Sequence, residues 1–315
     1  MKVLCAGLTV CDLIFRPMSR EVLEQDTSKA EDIKLSGGGD AYNVAMNLVA
    51  LGEKVELLTK IGLDDLGEYL FQKLKKAEIG VKWCKRVEIP TSASGVFIKE
   101  DGERSFLSYK GACHSLNKVD FVQEIFNDKK YLYLGSAFDL PQLDGAGMVE
   151  VFENAQAAGV KTILDTTGEP KIKDMEWFSE VLKHTDYFLP SLREAKLLTG
   201  CNTPEEAARH FRECGARTVV IKLGEEGCFV QNDEIEKRIS AFQTKAVDTT
   251  GAGDAFVAGF IKGLLQGFSI EKCAQYGNVI GSLAVEKLGA SGHEYKKEEI
   301  ERRLQDVAGF TLSKN

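Results

Sequence analysis

Short apolar runs and amphipathic helical stretches alternate along most of the chain. Residues 3–7 make one apolar run and residues 54–61 another, after which Asp64 is placed to cap a helix running through Lys76. Residues 130–135 predict a strand and 144–158 a helix; residues 161–165, 187–190 and 218–223 predict further strands. Strands separated by helices predict a mostly parallel sheet with helices on both faces, because parallel neighbours need a long crossover. On such sheets ligands gather at the carboxyl ends of the strands.

Two stretches break the rhythm, about 14–35 and 91–112, where β-type residues recur with no helix between them. The second, SGVFIKEDGERSFLSYKGA, alternates polar and apolar residues on either side of Asp101-Gly102, a hairpin turn pair. Together they predict a small sheet projecting from the main body, a candidate lid, with an ordinary edge hairpin as the plainer alternative. No repeat or Pro-rich linker interrupts the chain, so residues 1–315 read as a single α/β domain of three layers carrying this appendage.

Composition narrows the function classes. A net charge of −8 over 315 residues argues against a general nucleic-acid binder, which needs clustered Lys and Arg. No apolar run is long enough to cross a membrane, and the first residues lack the basic start and cleavage site of an export signal, so a cytoplasmic protein is expected. The eight cysteines form no C-x-x-C pair and no His stands at metal-ligand spacing from them; they read as reduced core residues. The four histidines have no nucleophile at motif spacing and read as surface or supporting residues.

The strongest chemical signal is the run Ala246-Val247-Asp248-Thr249-Thr250-Gly251-Ala252-Gly253-Asp254-Ala255-Phe256, which leads into a helical pattern. Small residues at Gly251, Ala252 and Gly253 admit a ligand close to the backbone, and the positive end of the helix suits an anion. Asp254 is then placed beside that anion, where a carboxylate can take a proton from an attacking hydroxyl. Taken alone, the same pattern is an ordinary helix start with an acidic first turn. A second run, Leu35-Ser36-Gly37-Gly38-Gly39-Asp40-Ala41-Tyr42-Asn43-Val44-Ala45, also opens a helix. It fails the dinucleotide spacing, since Tyr42 stands where a third glycine is required, and neither a P-loop nor the protein-kinase motif set occurs.

Together the two runs resemble the paired signatures of the ribokinase-like (PfkB) carbohydrate kinases, and the resemblance extends in order along nearly the whole chain. Residues 7–12 look like the family's first strand, whose Asp binds sugar hydroxyls; residues 60–67 are similar to its K-x-G-x-D-x-x-G segment; GERSFLSYKGA looks like its lid. Residues 189–194 fall where the family carries N-x-x-E, and residues 221–227 resemble the strand and turn along its nucleotide. The resemblance implies a ribokinase-like α/β sandwich that moves the γ-phosphoryl group of ATP to a sugar hydroxyl with Mg²⁺. It implies Asp254 as catalytic base and the N–H groups of Gly251, Ala252 and Gly253 as anion hole. Asp12, Gly38, Gly39, Asp40 and Asn43 would line the acceptor site, with Arg104 reaching in from the lid. Lys222, Gly224, Gly227 and Asn278 would flank the nucleotide, and Glu194 would organise Mg²⁺ through water. A monovalent cation, K⁺, has matching positions at Asp248, Thr250, Val285 and Ala290, and a homodimer through the lid follows from the same likeness.

This sequence departs from the family at three points. Ser191 replaces the Asn of N-x-x-E, residues 165–169 lack the Asn and Arg of a D-x-N-x-R stretch, and Asp40 stands where ribokinases proper carry Lys. With Asp12 and Asp40 both at the acceptor, repulsion predicts an uncharged sugar, ketose, polyol or nucleoside over a sugar phosphate or sugar acid. A nucleoside kinase of the same fold and a non-catalytic sugar sensor are the alternatives.

Overall fold

Consecutive residues of the first strand point into opposite cores: Val3 and Cys5 join one buried cluster, Leu4 and Ala6 the other. That pattern is the mark of a parallel strand covered on both faces, where period-2 alternation separates two cores rather than core from solvent. The structure is a computed structural model and describes residues 2–18, 22, 24–99, 104–167 and 169–306.

In chain order the strands are β1 Val3–Ala6, β2 Val10–Arg16, β3 Asp32–Gly38, β4 Val55–Gly62, β5 Cys84–Val87, β6 Ala93–Ile98, β7 Arg104–Tyr109, β8 Tyr131–Ala137, β9 Lys161–Thr166, β10 Tyr187–Phe188, β11 Thr218–Lys222, β12 Cys228–Gln231 and β13 Glu236–Ile239. The helices are α1 Asp40–Ala50, α2 Asp65–Lys76, α3 Ala146–Ala157, α4 Met175–Lys183, α5 Leu192–Thr199, α6 Pro204–Glu213, α7 Ala252–Gln266, α8 Ile270–Ala284 and α9 Lys297–Asp306.

The main sheet runs β13-β12-β11-β10-β9-β8-β1-β4-β5, parallel from β5 to β11 and antiparallel at β11-β12-β13. One cluster unites its first face with α1, α2, α7, α8 and α9; the other unites its second face with α3 to α6. Tyr133 of β8 faces the first cluster, while Leu132 and Leu134 face the second. Capping follows the residues expected: Asp64 Oδ1 accepts from Gly67 N at 2.8 Å and starts α2. The eight cysteines are free thiols, most of them buried. No described helix is long and apolar enough to cross a membrane.

A separate four-stranded sheet has the order β3-β2-β6-β7. Its first strand begins at Val10, earlier than the apolar pattern indicates. Asp12, expected on the first core strand, therefore belongs to this second sheet; Gly7 at φ 141 and the following residues turn the chain out of the main sheet between the two. Val96 faces Phe106 across the β6–β7 pair, as the hairpin pattern requires, and Asp101-Gly102 lies outside the described residues. On the outer face Phe15 stacks on Phe97 at 5.8 Å, and Ile33, Leu107 and Tyr109 are exposed.

Candidate active site

Asp40, Lys222, Asp165 and Asp254 converge where β1, β8, β9 and β11 end and where α1 and α7 begin. Strand ends and helix starts meet at one rim of the sheet, so backbone donors and short polar side chains concentrate there.

Asp254 lies in the first turn of α7. The turn before it is fixed sterically: Gly251 has φ 72, and a Cβ there would come within 2.4 Å of the Ala290 carbonyl oxygen. Only glycine fits that position. Ala252 N donates to Thr249 O at 3.3 Å, while the N–H groups of Gly251 and Gly253 have no acceptor among the described residues. Asn43, from α1 across the cleft, donates to Asp254 Oδ2 at 2.8 Å. Burial, and secondarily the charge of Asp40, push the Asp254 carboxyl up to about 7. A carboxyl with that affinity is poised to exchange a proton near neutrality.

Asp40, expected at the acceptor site, is held by four donors. Its oxygens accept from Ala41 N at 2.6 Å, Leu8 N at 3.3 Å, Ser136 Oγ at 2.5 Å and Thr167 Oγ1 at 3.0 Å. These donors tie α1 to the ends of β1, β8 and β9, so the carboxylate works as a structural hub. Burial still holds it above the ordinary carboxylate range against their pull. Asp40→Ala leaves Leu8 N its bond to Ser136 Oγ at 3.1 Å but strands the Ala41 N–H and the Ser136 and Thr167 hydroxyl donors, and should lower stability by about 1–3 kcal/mol. Urea denaturation measures this, and an unchanged midpoint would show that the hub is idle.

Asp12 does face the space between the sheets. A Cβ at Gly38 would lie 2.0 Å from Asp12 Oδ2, which explains the glycine, and burial pushes the Asp12 carboxyl up to about 7. No described residue donates to it. A compact cavity of about 120 Å³ opens here, bounded by Asp12, Val96, Arg104, Phe106, Thr250 and Ala290. Arg104 does not point at Asp40; its Nη2 pairs with Asp248 Oδ1 at 2.5 Å.

The predicted nucleotide residues lie toward the other end of the sheet. Lys222 Nζ pairs with Asp165 Oδ2 at 2.6 Å in a nearly buried contact beside Gly253. Burial works against the charge on Lys222, and Asp165 with Glu194 outweighs it, holding the ammonium above its ordinary range. Burial raises Asp165 to about 7 despite the lysine. Gly224 and Gly227 bracket the turn from β11 to β12. Asn278 donates to the carbonyls of Ile239 and Ser240, both at 3.1 Å, and so shapes a cavity of about 470 Å³ lined by Phe242, Gln243 and Gln275.

Ser191, in place of the expected Asn, caps α5. Its N and Oγ donate to Glu194 Oε2 at 2.7 and 2.6 Å, forming a capping box. Of the four positions matched to a monovalent cation, Asp248 and Val285 are otherwise engaged, whereas Thr250 Oγ1 is buried without a partner among the described residues. Asp248 accepts from Thr250 N, Gly289 N and Arg104; the Val285 carbonyl accepts from Val247 N at 2.7 Å and Asp248 N at 3.0 Å; Ala290 packs on Gly251. Sequence reasoning gave no role to Ser136 and Thr167, whose one available signal was their place at predicted strand ends, and read Asp165 only as the first residue of the departing D-x-N-x-R stretch.

A sheet with this rim, two helix starts carrying paired carboxylates, and a second sheet over the cleft is the architecture of ribokinase-like enzymes. Residues 1–296 match the family described as pfkB family carbohydrate kinase, and the chain belongs to that family. It is 31% identical to the 2-dehydro-3-deoxygluconokinase of Bacillus subtilis, covering 80% of this chain and 81% of that one. It is 27% identical to a ribokinase of Staphylococcus aureus, over 95% of this chain and 98% of the other. The fold is shared with Arabidopsis thaliana ribokinase solved with ribose and ATP, at a TM-score of 0.80 and 22% identity, covering 96% and 98% of the two chains.

Proposed function

We propose that this chain transfers the γ-phosphoryl group of ATP to a hydroxyl of a small uncharged sugar or polyol held between the two sheets. The observation that carries this reading is Asp254 beside two backbone N–H groups with no acceptor among the described residues, at a helix start steadied by Asn43, whose preceding turn borders through Thr250 and Ala290 the cavity that Asp12 lines. The N–H groups of Gly251 and Gly253, joined by that of Ala252 once it leaves Thr249 O, gather the charge of the transferring phosphoryl group while Asp254 takes the hydroxyl proton. Asp12, with Gly38 and Gly39 leaving room, accepts from acceptor hydroxyls. Asn43 sets the orientation of the base.

The nucleotide lies along the rim past Lys222, Gly224 and Gly227, with its base in the cavity beside Asn278. Magnesium bound with ATP would neutralise phosphate charge. Glu194 suits its water shell: one carboxylate oxygen is spent on the capping box and the other has no partner among the described residues. The second sheet acts as the lid, excluding water that would otherwise compete as acceptor. Its exposed outer face, with Ile33, Leu107 and Tyr109, suits a second copy of the chain. A cytosolic setting agrees with the free cysteines and with ATP as donor.

The acceptor's charge follows from what faces the cavity. Asp12 is unpaired, Arg104 is committed to Asp248, and Arg16 is committed to Asp32. A hydroxyl can donate to Asp12, whereas a carboxylate or phosphate placed against its ionised form meets like charge. The name of the Bacillus subtilis relative makes a sugar acid the second reading, in which Lys34 or Arg104, both of which line the cavity, would supply the counter-charge. ADP release separates the two readings. The best of fructose, ribose and a nucleoside should exceed 2-keto-3-deoxygluconate and fructose 1-phosphate by about tenfold or more in kcat/KM. A clear preference for either anion overturns the charge argument.

A further inference from the structure

Asp248 is almost fully enclosed: its side chain is 6% exposed, and it holds the turn that leads into α7. Oδ1 accepts from Thr250 N at 2.7 Å and Oδ2 from Gly289 N at 2.9 Å, so one carboxylate fixes both the residue before Gly251 and the loop whose Ala290 packs against Gly251. A carboxylate so enclosed needs a positive charge. Here it comes from another sheet: Arg104 Nη2, at the start of β7, reaches Asp248 Oδ1 at 2.5 Å.

The same positions do not fit a resident monovalent cation. Such an ion needs several oxygens whose lone pairs are free to face it, and among the side-chain oxygens of these positions only Thr250 Oγ1 is buried without a partner among the described residues. The Val285 carbonyl already takes two N–H donors, and Asp248 takes two N–H donors and a guanidinium.

We infer that Arg104 is a positioning residue that replaces a monovalent cation at Asp248, so the anion-hole turn is completed by the lid itself and activity does not depend on K⁺. The ion pair spans the mouth of the acceptor cavity, whose boundary includes Arg104, Asp248 and Thr250. An acceptor that keeps the lid down therefore also keeps Asp248 neutralised and the Gly251 turn in place. When the lid lifts, Asp248 loses its counter-charge and the turn loosens. This couples readiness of the anion hole to acceptor occupancy, a form of induced fit. The inference rests on the kinase reading above, so its test includes a measurement that needs no turnover.

The purified chain is compared with Arg104→Met and Arg104→Lys in potassium chloride and in tetramethylammonium chloride at equal ionic strength, by thermal melting and by acceptor kinetics. The melting temperature of the unaltered chain should be the same in the two salts, and its kcat/KM the same within about twofold. Arg104→Met should melt lower and lose about tenfold or more in acceptor kcat/KM while its KM for ATP stays within about twofold. Arg104→Lys, which keeps the charge, should recover most of the loss. Specific stabilisation or activation of the unaltered chain by K⁺ overturns the inference. So does an Arg104→Met variant that matches the unaltered chain in melting temperature and kinetics, or an Arg104→Lys variant no better than Met. Absence of turnover on every acceptor would count against the kinase reading alone, and the melting comparison would still decide the role of Arg104.

Discussion

Asp254→Asn lowers turnover about 10²-fold or more and leaves ATP affinity within a few-fold of its original value. Asparagine matches the carboxylate in shape, and its oxygen can still accept from Asn43 Nδ2, so the α7 start and the Gly251 turn keep their geometry. What disappears is the capacity to hold a proton. Because burial and Asp40 press on the carboxyl, the neutral amide also relieves unfavourable charge, and the variant should be at least as stable as the original. Loss of activity with unchanged or raised stability separates a chemical role from a structural one. Near-normal turnover in the folded variant would remove Asp254 from the chemistry.

Lys222→Met has its largest effect on the fold. It leaves Asp165, 5% exposed, without its counter-charge, and breaking a nearly buried pair from one side costs about 3–5 kcal/mol. The sign with pH follows from Asp165, already raised to about 7 from the ordinary 3.8. Between those values the folded state binds more protons than the unfolded one, so this group's contribution falls as pH rises. Without Lys222 the window extends upward, and the urea midpoint should drop more at mildly alkaline than at mildly acidic pH. Adding Asp165→Leu should restore much of the loss. A midpoint that does not move in the single variant would contradict the role given to the pair.

How much of this was legible in the sequence depended on how local the cause was. Six of the nine strands of the main sheet announced themselves because each is a short apolar run bounded by polar residues, while β5, β12 and β13 did not; Asp64 announced α2 because capping needs only four neighbouring residues. Asp12 was misplaced by one strand, since Val3 to Asp12 is apolar throughout its first part and the bend at Gly7 leaves no gap in the pattern. Asp40 was singled out for the acceptor site, but its hydrogen-bond partners were not legible. Its partners Ser136 and Thr167 lie 96 and 127 residues away, a distance no spacing rule spans. The Lys222–Asp165 and Arg104–Asp248 pairs escaped for the same reason: each joins different strands or sheets. Ser191 shows the reverse case, a departure from the family pattern that capping-box spacing could have explained.

The central claim is that Asp254 works as a base beside an anion hole, and the pH dependence of kcat/KM tests it most directly. Asp254 must be ionised to accept the hydroxyl proton, and its carboxyl is pushed up to about 7. The account predicts kcat/KM falling about tenfold per pH unit as pH drops below about 7, a plateau above it, and no such limb in the residual activity of Asp254→Asn. A profile that is flat across this range, rises toward acid, or keeps the same limb in the Asn variant would contradict it.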